Sequence, residues 1–259
     1  MPPPAHQVIP AGPHREPAPF SHFALRSDEP AHAWMARTPL GCVHRVRTRF
    51  LDAAALAGLA AQGRARMALP APLDIAHADA TPADLATAAP HIAGLPGQIT
   101  AALQLCGLPG ARQAGTMHHL GCRGAGFHND VGRHWGRCLF WVLALAVDDV
   151  EFVQPHSGLR LPLAPGDLLV FDPAMAHGLC RPADGGQALA ASFERDGGSR
   201  QWFLTGELPF DDAQWAALGA PWLPLAQHAD ALDLLVASFD ACSGAIQRPR
   251  ALEIGRAHV

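Results

Sequence analysis

Three side chains in this sequence have the types and spacing to hold a divalent metal ion with part of its coordination sphere left open. His128 and Asp130 stand two apart in Phe127-His128-Asn129-Asp130, and His177 lies downstream in Met175-Ala176-His177-Gly178. Residues two apart on a strand share a face, so His128 and Asp130 can reach one point. Two neutral imidazoles and one carboxylate form a facial donor set. That set suits a mononuclear non-haem Fe(II), whose remaining positions are free for a co-substrate and O2. A His-x-Asp pair alone is a weak signal in a chain with 15 histidines, so the surroundings must give it weight. The same donors also accept zinc, because affinity alone does not select iron.

Those donors need rigid elements to bring them together. From residue 111 to 205 the chain is a series of short apolar runs separated by Gly, Pro and Asp turns. The predicted strands are Gln113–Leu120, Gly126–Asp130, Cys138–Val147, Val150–Val153, Leu159–Leu163, Asp167–Phe171, Gly178–Cys180, Gln187–Arg195 and Gln201–Thr205. Even spacing of this kind predicts an antiparallel sandwich or barrel. Asp148-Asp149, Pro165-Gly166 and Ala183-Asp184-Gly185-Gly186 supply turn chemistry, the last as a hairpin.

The flanks read differently. Residues 1–20 are a Pro-rich, flexible N-terminus. Residues 21–110 read as a mainly helical part that packs on the core. Arg45–Leu51 is an early strand there, and Asp52–Arg66 a helix with Asp52 as N-cap. Thr81–Leu105 reads as helices broken near Pro90 and Pro96, with Thr81 and Asp84 spaced as a capping box. Residues 206–252 form a C-terminal helical segment, with helices at Asp211–Leu218 and Ala229–Ala241. The final stretch, Glu253–Val259 (EIGRAHV), resembles a translated sequencing adapter. It is read as a non-native tail and kept out of functional reasoning. The fold class expected is mainly β with flanking helices.

In order and spacing, residues 113–205 resemble the double-stranded β-helix (jelly roll) of the Fe(II)/2-oxoglutarate-dependent dioxygenase superfamily, nearest in layout to its prolyl-hydroxylase-like branch. The residues that carry the likeness are a strand, His128-Asn129-Asp130, the long strand Cys138–Val147, an acidic turn, Pro165-Gly166-Asp167, the apolar strand Leu168–Phe171, and His177-Gly178. The resemblance implies Fe(II) held by His128, Asp130 and His177 as the catalytic centre. It further implies 2-oxoglutarate as co-substrate, with O2, and hydroxylation of a substrate with release of succinate and CO2.

The family holds the far carboxylate of 2-oxoglutarate with a basic residue on the strand after the distal His. Here Gln187 occupies that place. It can donate hydrogen bonds but brings no charge, whereas Arg would grip a carboxylate bidentately. Arg181 is the favoured replacement, ahead of Arg195, Arg133 and Arg137, with Ser192 a small polar partner. The bland alternative for each Arg is a solvated charge. His118 and His119 lie where the family places a group that touches the co-substrate. Strand alternation lets only one of them face inward, and His119 is assigned to the co-substrate site. His134 and Trp135 follow the triad and could line a pocket mouth, or pack. His156 reads as structural or exposed.

The net charge of −4, the absence of a basic run and the low charged fraction of 16% argue against nucleic acid and anionic membrane as partners. No apolar run is long enough to span a bilayer. None of the six cysteines sits in a C-x-x-C pair, and reduced thiols in a cytoplasm are expected. The substrate itself, small molecule or protein side chain, is not written in the sequence. Two alternatives stand beside the hydroxylase: a metal-dependent oxygenase that does not use 2-oxoglutarate, and a non-catalytic β-helix binding module.

Overall fold

The computed structural model describes residues 6–10, 24–28, 33–37, 40–48, 50–108, 116–130, 137–194, 200–224 and 238–247. Two antiparallel sheets face each other. The large one runs in the order β1 (His6–Pro10), β4 (Cys42–Arg47), β11 (Asp167–Phe171), β8 (Cys138–Ala146), β13 (Gln201–Pro209), β6 (Met117–Cys122), β5 (Ile75–Ala80). The small one is β10 (Leu159–Pro162), β9 (Glu151–Gln154), β12 (His177–Cys180), β7 (Ala125–His128). From β6 to β13 the chain crosses back and forth between them. It places β11-β8-β13-β6 over β10-β9-β12-β7, which is the winding of a double-stranded β-helix. A third sheet joins β14 (Leu223–Pro224), β3 (Ala33–Arg37) and β2 (Ala24–Asp28), and a short pair joins β15 (Ser238–Phe239) to β16 (Ile246–Gln247).

The large sheet is apolar on both faces because both are covered. Along β8, Leu139, Trp141, Leu143 and Leu145 pack outward with α1 (Ala53–Arg66), α2 (Pro82–Ala88) and α3 (Leu95–Gln104). The alternating Phe140, Val142 and Ala144 pack inward with the small sheet, as a period of two requires. Gly206 on β13 is needed for this packing: a Cβ there would lie 2.7 Å from the Trp141 ring.

Local chemistry explains several boundaries. Asp52 caps α1 by accepting from the Ala55 N–H. Thr81 and Asp84 close a reciprocal capping box on α2. Pro96 sits in the first turn of α3, where its missing N–H costs nothing.

Three expectations are corrected. Residues 21–110 hold the expected helices α1, α2 and α3 but are not helical alone: β4 and β5 are members of the large sheet, with β4 hydrogen-bonded to β11 on the core. Gln187–Arg195 is not a strand. Its described part holds α4 (Ala190–Glu194), because Ala-Ala-Ser-Phe-Glu has little preference for an extended backbone, and the Ala183–Gly186 turn therefore joins no hairpin. The C-terminal segment begins with α5 (Asp212–Ala217), but Ser238–Phe239, at the end of the expected helix Ala229–Ala241, is a strand. Residues 225–237, most of the Pro-rich N-terminus and the 253–259 tail lie outside the described residues.

The turn after β15 lies along the outer side of β7. Gly126 and Phe127 donate their N–H groups to the Leu73 and Ala241 carbonyls at 3.1 and 2.9 Å. Gly244, with φ of +70°, approaches Pro155 so closely that a Cβ would sit 2.5 Å from its ring. No helix among the described residues is long and apolar enough to cross a membrane.

Candidate metal centre

β7 and β12 are antiparallel neighbours with His128 and His177 directly opposite each other. Their rings lie 4.5 Å apart, centroid to centroid. Asp130 follows β7 and is fixed by its backbone N–H, which donates to the Pro173 carbonyl at 3.0 Å. Its carboxylate reaches within 3.8 Å of His177 Nε2. Ligand atoms of His128, Asp130 and His177 all lie within 4.8 Å of one another. Thus the three residues singled out in the sequence converge.

Each imidazole is held by its other nitrogen. His128 Nδ1 lies 2.7 Å from the Gly126 carbonyl, and His177 Nδ1 lies 2.8 Å from the Met175 carbonyl. A carbonyl can only accept, so each Nδ1 carries the proton and each Nε2 presents its lone pair toward the centre. This is how metal-binding histidines are oriented. His177 is buried between Phe152 and Phe171, at 5.9 and 4.8 Å between centroids. That burial, reinforced by the nearby His128, pushes its pKa down to about 4. The ring is therefore neutral at physiological pH, the form a metal requires. Two neutral imidazoles and a carboxylate on one side of a common point fit Fe(II), and fit zinc as well.

The turn Asp172-Pro173-Ala174-Met175 supports both the acid and the distal His, through the Pro173 and Met175 carbonyls. Asp172 stiffens it by accepting from the Ala174 N–H at 3.0 Å and is itself gripped by buried Arg37 at 2.6 and 3.1 Å. Sequence reading missed this pair. Asp172-Pro173 is a recognisable turn signal, but nothing in the sequence ties it to Arg37.

The triad opens on a cavity of about 190 Å³ between the two sheets. Its walls are apolar, chiefly Phe140, Phe152, Phe171, Phe203, Val142 and Leu120. Besides the triad, its polar lining is His77, His118, Thr205 and Glu207. The Thr205 hydroxyl donates to the Trp141 carbonyl at 2.8 Å. No Arg is among the described residues that line it, and the chain contains no Lys.

None of the four residues assigned to the co-substrate faces this cavity. Arg181 is buried on β12's outgoing side. Its guanidinium donates to the Asp148 and Asp149 carbonyls at 2.6 and 3.0 Å and lies 5.4 Å from the Phe193 ring. It clamps a turn in which Asp149 has a φ of +45°. Gln187 is exposed in the turn before α4. Ser192 sits on α4 and donates to Asp184 at 2.8 Å. His119 points out of the barrel onto α1, 3.0 Å from the Gln62 side-chain oxygen, and it is His118 that faces in. The Gln187 alignment failed because α4 stands where the next strand was expected; that strand, β13, begins only at Gln201. Arg137 is exposed. Arg133, His134, Trp135 and Arg195 lie outside the described residues.

No family model matches the chain, and no curated protein sequence does. Solved structures to which it is similar include the viral collagen prolyl hydroxylase of Paramecium bursaria Chlorella virus-1 in complex with 2-oxoglutarate, at 7% identity over 64% of this chain and 94% of that one, TM-score 0.41. A prolyl-4-hydroxylase of Pseudomonas putida matches at 18% identity over 65% of this chain and 92% of that one, TM-score 0.41. A non-haem α-ketoglutarate-dependent epimerase of nogalamycin biosynthesis matches at 16% identity over 63% and 76%, TM-score 0.40. Independently of these likenesses, the strand order gives the chain a double-stranded β-helix fold, in which His128, Asp130 and His177 converge at facing strand ends.

Proposed function

We propose that this chain is a mononuclear Fe(II) oxygenase that uses 2-oxoglutarate as co-substrate and hydroxylates a substrate presented to the apolar cavity, releasing succinate and CO2. One observation carries the reading: both Nε2 lone pairs and the Asp130 carboxylate converge at the end of a phenylalanine-lined barrel interior. His128, Asp130 and His177 would hold the ion. Bound there, Fe(II) supplies O2 activation coupled to oxidative decarboxylation of the 2-oxo acid. The chain's own part is positional. The Gly126 and Met175 carbonyls keep the imidazoles aimed, the 172–175 turn fixes the acid against the distal His, and the phenylalanine walls exclude water from the reacting groups. In this reading the far carboxylate of the co-substrate is met by His118 and His77, the other imidazoles among the described lining residues, with His118 Nδ1 also 3.1 Å from the Asp79 carboxylate.

A second reading rests on the lack of Arg among the described cavity residues: the same metal centre in an oxygenase that does not use 2-oxoglutarate. One experiment separates them. Purified chain is loaded anaerobically with Fe(II) and 2-oxoglutarate. A visible metal-to-ligand charge-transfer band, then succinate formation on admitting O2, is expected, and both are lost in Asp130→Ala. Iron binding with neither band nor succinate would overturn the 2-oxoglutarate reading, and O2 uptake by that iron-loaded protein would then favour the second.

A further inference from the structure

A separate set of donors lies on the opposite face of the large sheet. Ligand atoms of His6, His44 and Cys106 come within 4.8 Å of one another. They are brought there by three distant parts of the chain: edge strand β1, strand β4, and the turn that follows α3. The β1–β4 register pairs Val8 with His44, so His6, two residues along, is the diagonal neighbour of His44 on the same face. On β4 the inward residue Val43 packs in the barrel, while Val46 packs under the helices. The His44 face therefore points away from the cavity, toward Cys106, which belongs to the helix-side core. His44 and Cys106 are buried, and His6 is half-buried.

The spacing is that of a binding site. His6 Nε2 and His44 Nδ1 lie 3.2 Å apart. Two nitrogens at about 2.0–2.1 Å from one tetrahedral ion would be separated by about 3.3 Å. Neutral imidazoles meet the same separation through one shared proton, so the third donor decides the chemistry, and it is a thiol. The remaining ring nitrogen of His44, Nε2, lies 3.7 Å from Cys42 Sγ. A proton on Nε2 donated to that sulfur leaves Nδ1 as the ligating atom, which is the partner arrangement metal-bound imidazoles carry.

We propose that His6, His44 and Cys106 form a second metal site, selective for a thiolate-seeking ion such as Zn(II), which pins edge strand β1 and strand β4 to the end of α3. Its two imidazoles and a thiolate are softer than the imidazole–carboxylate set inside the barrel, so the two sites sort different metals. Neither the barrel centre nor its proposed chemistry uses these residues.

The test uses Co(II) as probe on the full chain, stripped of metal by chelator. In His128→Ala/Asp130→Ala, which removes the barrel centre, one Co(II) is expected to bind with a thiolate-to-cobalt charge-transfer band in the near ultraviolet. Adding Cys106→Ser should abolish the band. Adding instead His6→Gln, on the edge strand where misfolding is least expected, should keep a band but weaken Co(II) binding by about 100-fold or more. Cys42→Ser should weaken it about 10-fold with the band retained. The proposal is overturned by absence of the band in the two-residue variant, by its survival in Cys106→Ser, or by unchanged affinity in His6→Gln. Because the barrel centre is deleted throughout, failure here is distinct from failure of the oxygenase reading.

Discussion

Replacing Arg37 with Met should destabilise the protein by about 3–5 kcal/mol and loosen the barrel metal centre at the same time. The side chains of Arg37 and Asp172 are both wholly buried. The guanidinium grips the carboxylate at 2.6 and 3.1 Å and lies 3.5 Å from the Trp215 ring centroid. Two charge-assisted hydrogen bonds at about 1.5–3 kcal/mol each and a desolvated cation–π contact of about 2 kcal/mol are lost. Met keeps the stem's packing. Asp172 retains the Leu40 and Ala174 N–H donors at 2.9 and 3.0 Å, which offset part of the loss. Removing one partner of a buried pair costs about 3–5 kcal/mol, because the other charge is stranded. The stranded carboxylate belongs to the turn that supports Asp130 and His177, so Fe(II) affinity should fall about 10–100-fold. Urea unfolding of the metal-free protein measures the first effect and a competitive chelator titration the second. Arg37→Met/Asp172→Asn, which leaves no unpaired charge, should recover about 1 kcal/mol or more relative to Arg37→Met. A loss below about 1 kcal/mol in the single variant, or costs that simply add in the double, would refute the coupling.

Three further outcomes are expected. Arg181→Met should cost about 2–3 kcal/mol in urea unfolding by freeing the Asp148–Asp149 carbonyls, yet leave 2-oxoglutarate affinity unchanged, because its guanidinium lies outside the cavity; a raised KM for 2-oxoglutarate in a folded variant would show otherwise. Gly206→Ala should lower stability by about 1–3 kcal/mol by driving a methyl against Trp141, read as a drop in Tm, and an unchanged Tm would mean the ring moves freely. His177 titrates well below its ordinary value, at about 4, so the unfolded chain takes up the proton first as pH falls. Metal-free protein should therefore hold this contribution above pH about 6.5 and lose about 3 kcal/mol of it as pH falls through about 4. His177→Leu should flatten that slope in pH-dependent unfolding.

The barrel was legible where its signals are local. The period of two along Cys138–Ala146, the Pro165-Gly166 turn and the His-x-Asp at a strand end each follow from neighbouring residues, and the strands fall where those signals put them. Cap residues Asp52 and Thr81 located helix starts for the same reason. Arg181, Gln187 and Ser192 were placed by counting forward from His177 as though a strand came next, and none of them lines the cavity. A helix of ordinary Ala-rich composition intervenes, and counting carries no information across it. His118 and His119 show a different limit. Alternation says that one faces in, but the choice depends on the register with β5 and β13, which is a long-range property. Arg37 was invisible because its partner lies 135 residues away. The His6–His44–Cys106 cluster was invisible for the same reason, since no spacing rule joins three residues on three elements.

The turn that lies along β7 has a consequence for the chain's behaviour in solution. β7 carries His128 and is the last strand of its sheet, so its outward N–H groups would otherwise be a template for another chain. The Leu73 and Ala241 carbonyls occupy two of them, and Gly244 lets the covering turn press down on Pro155. Shortening the chain before Asp240 would therefore free the Phe127 N–H and uncover the part of this edge that lies beside the metal centre, while Leu73 keeps its hold on Gly126. Such a truncation should be recognised first by self-association through that strand, in light scattering or thioflavin binding, before any change in chemistry is measured.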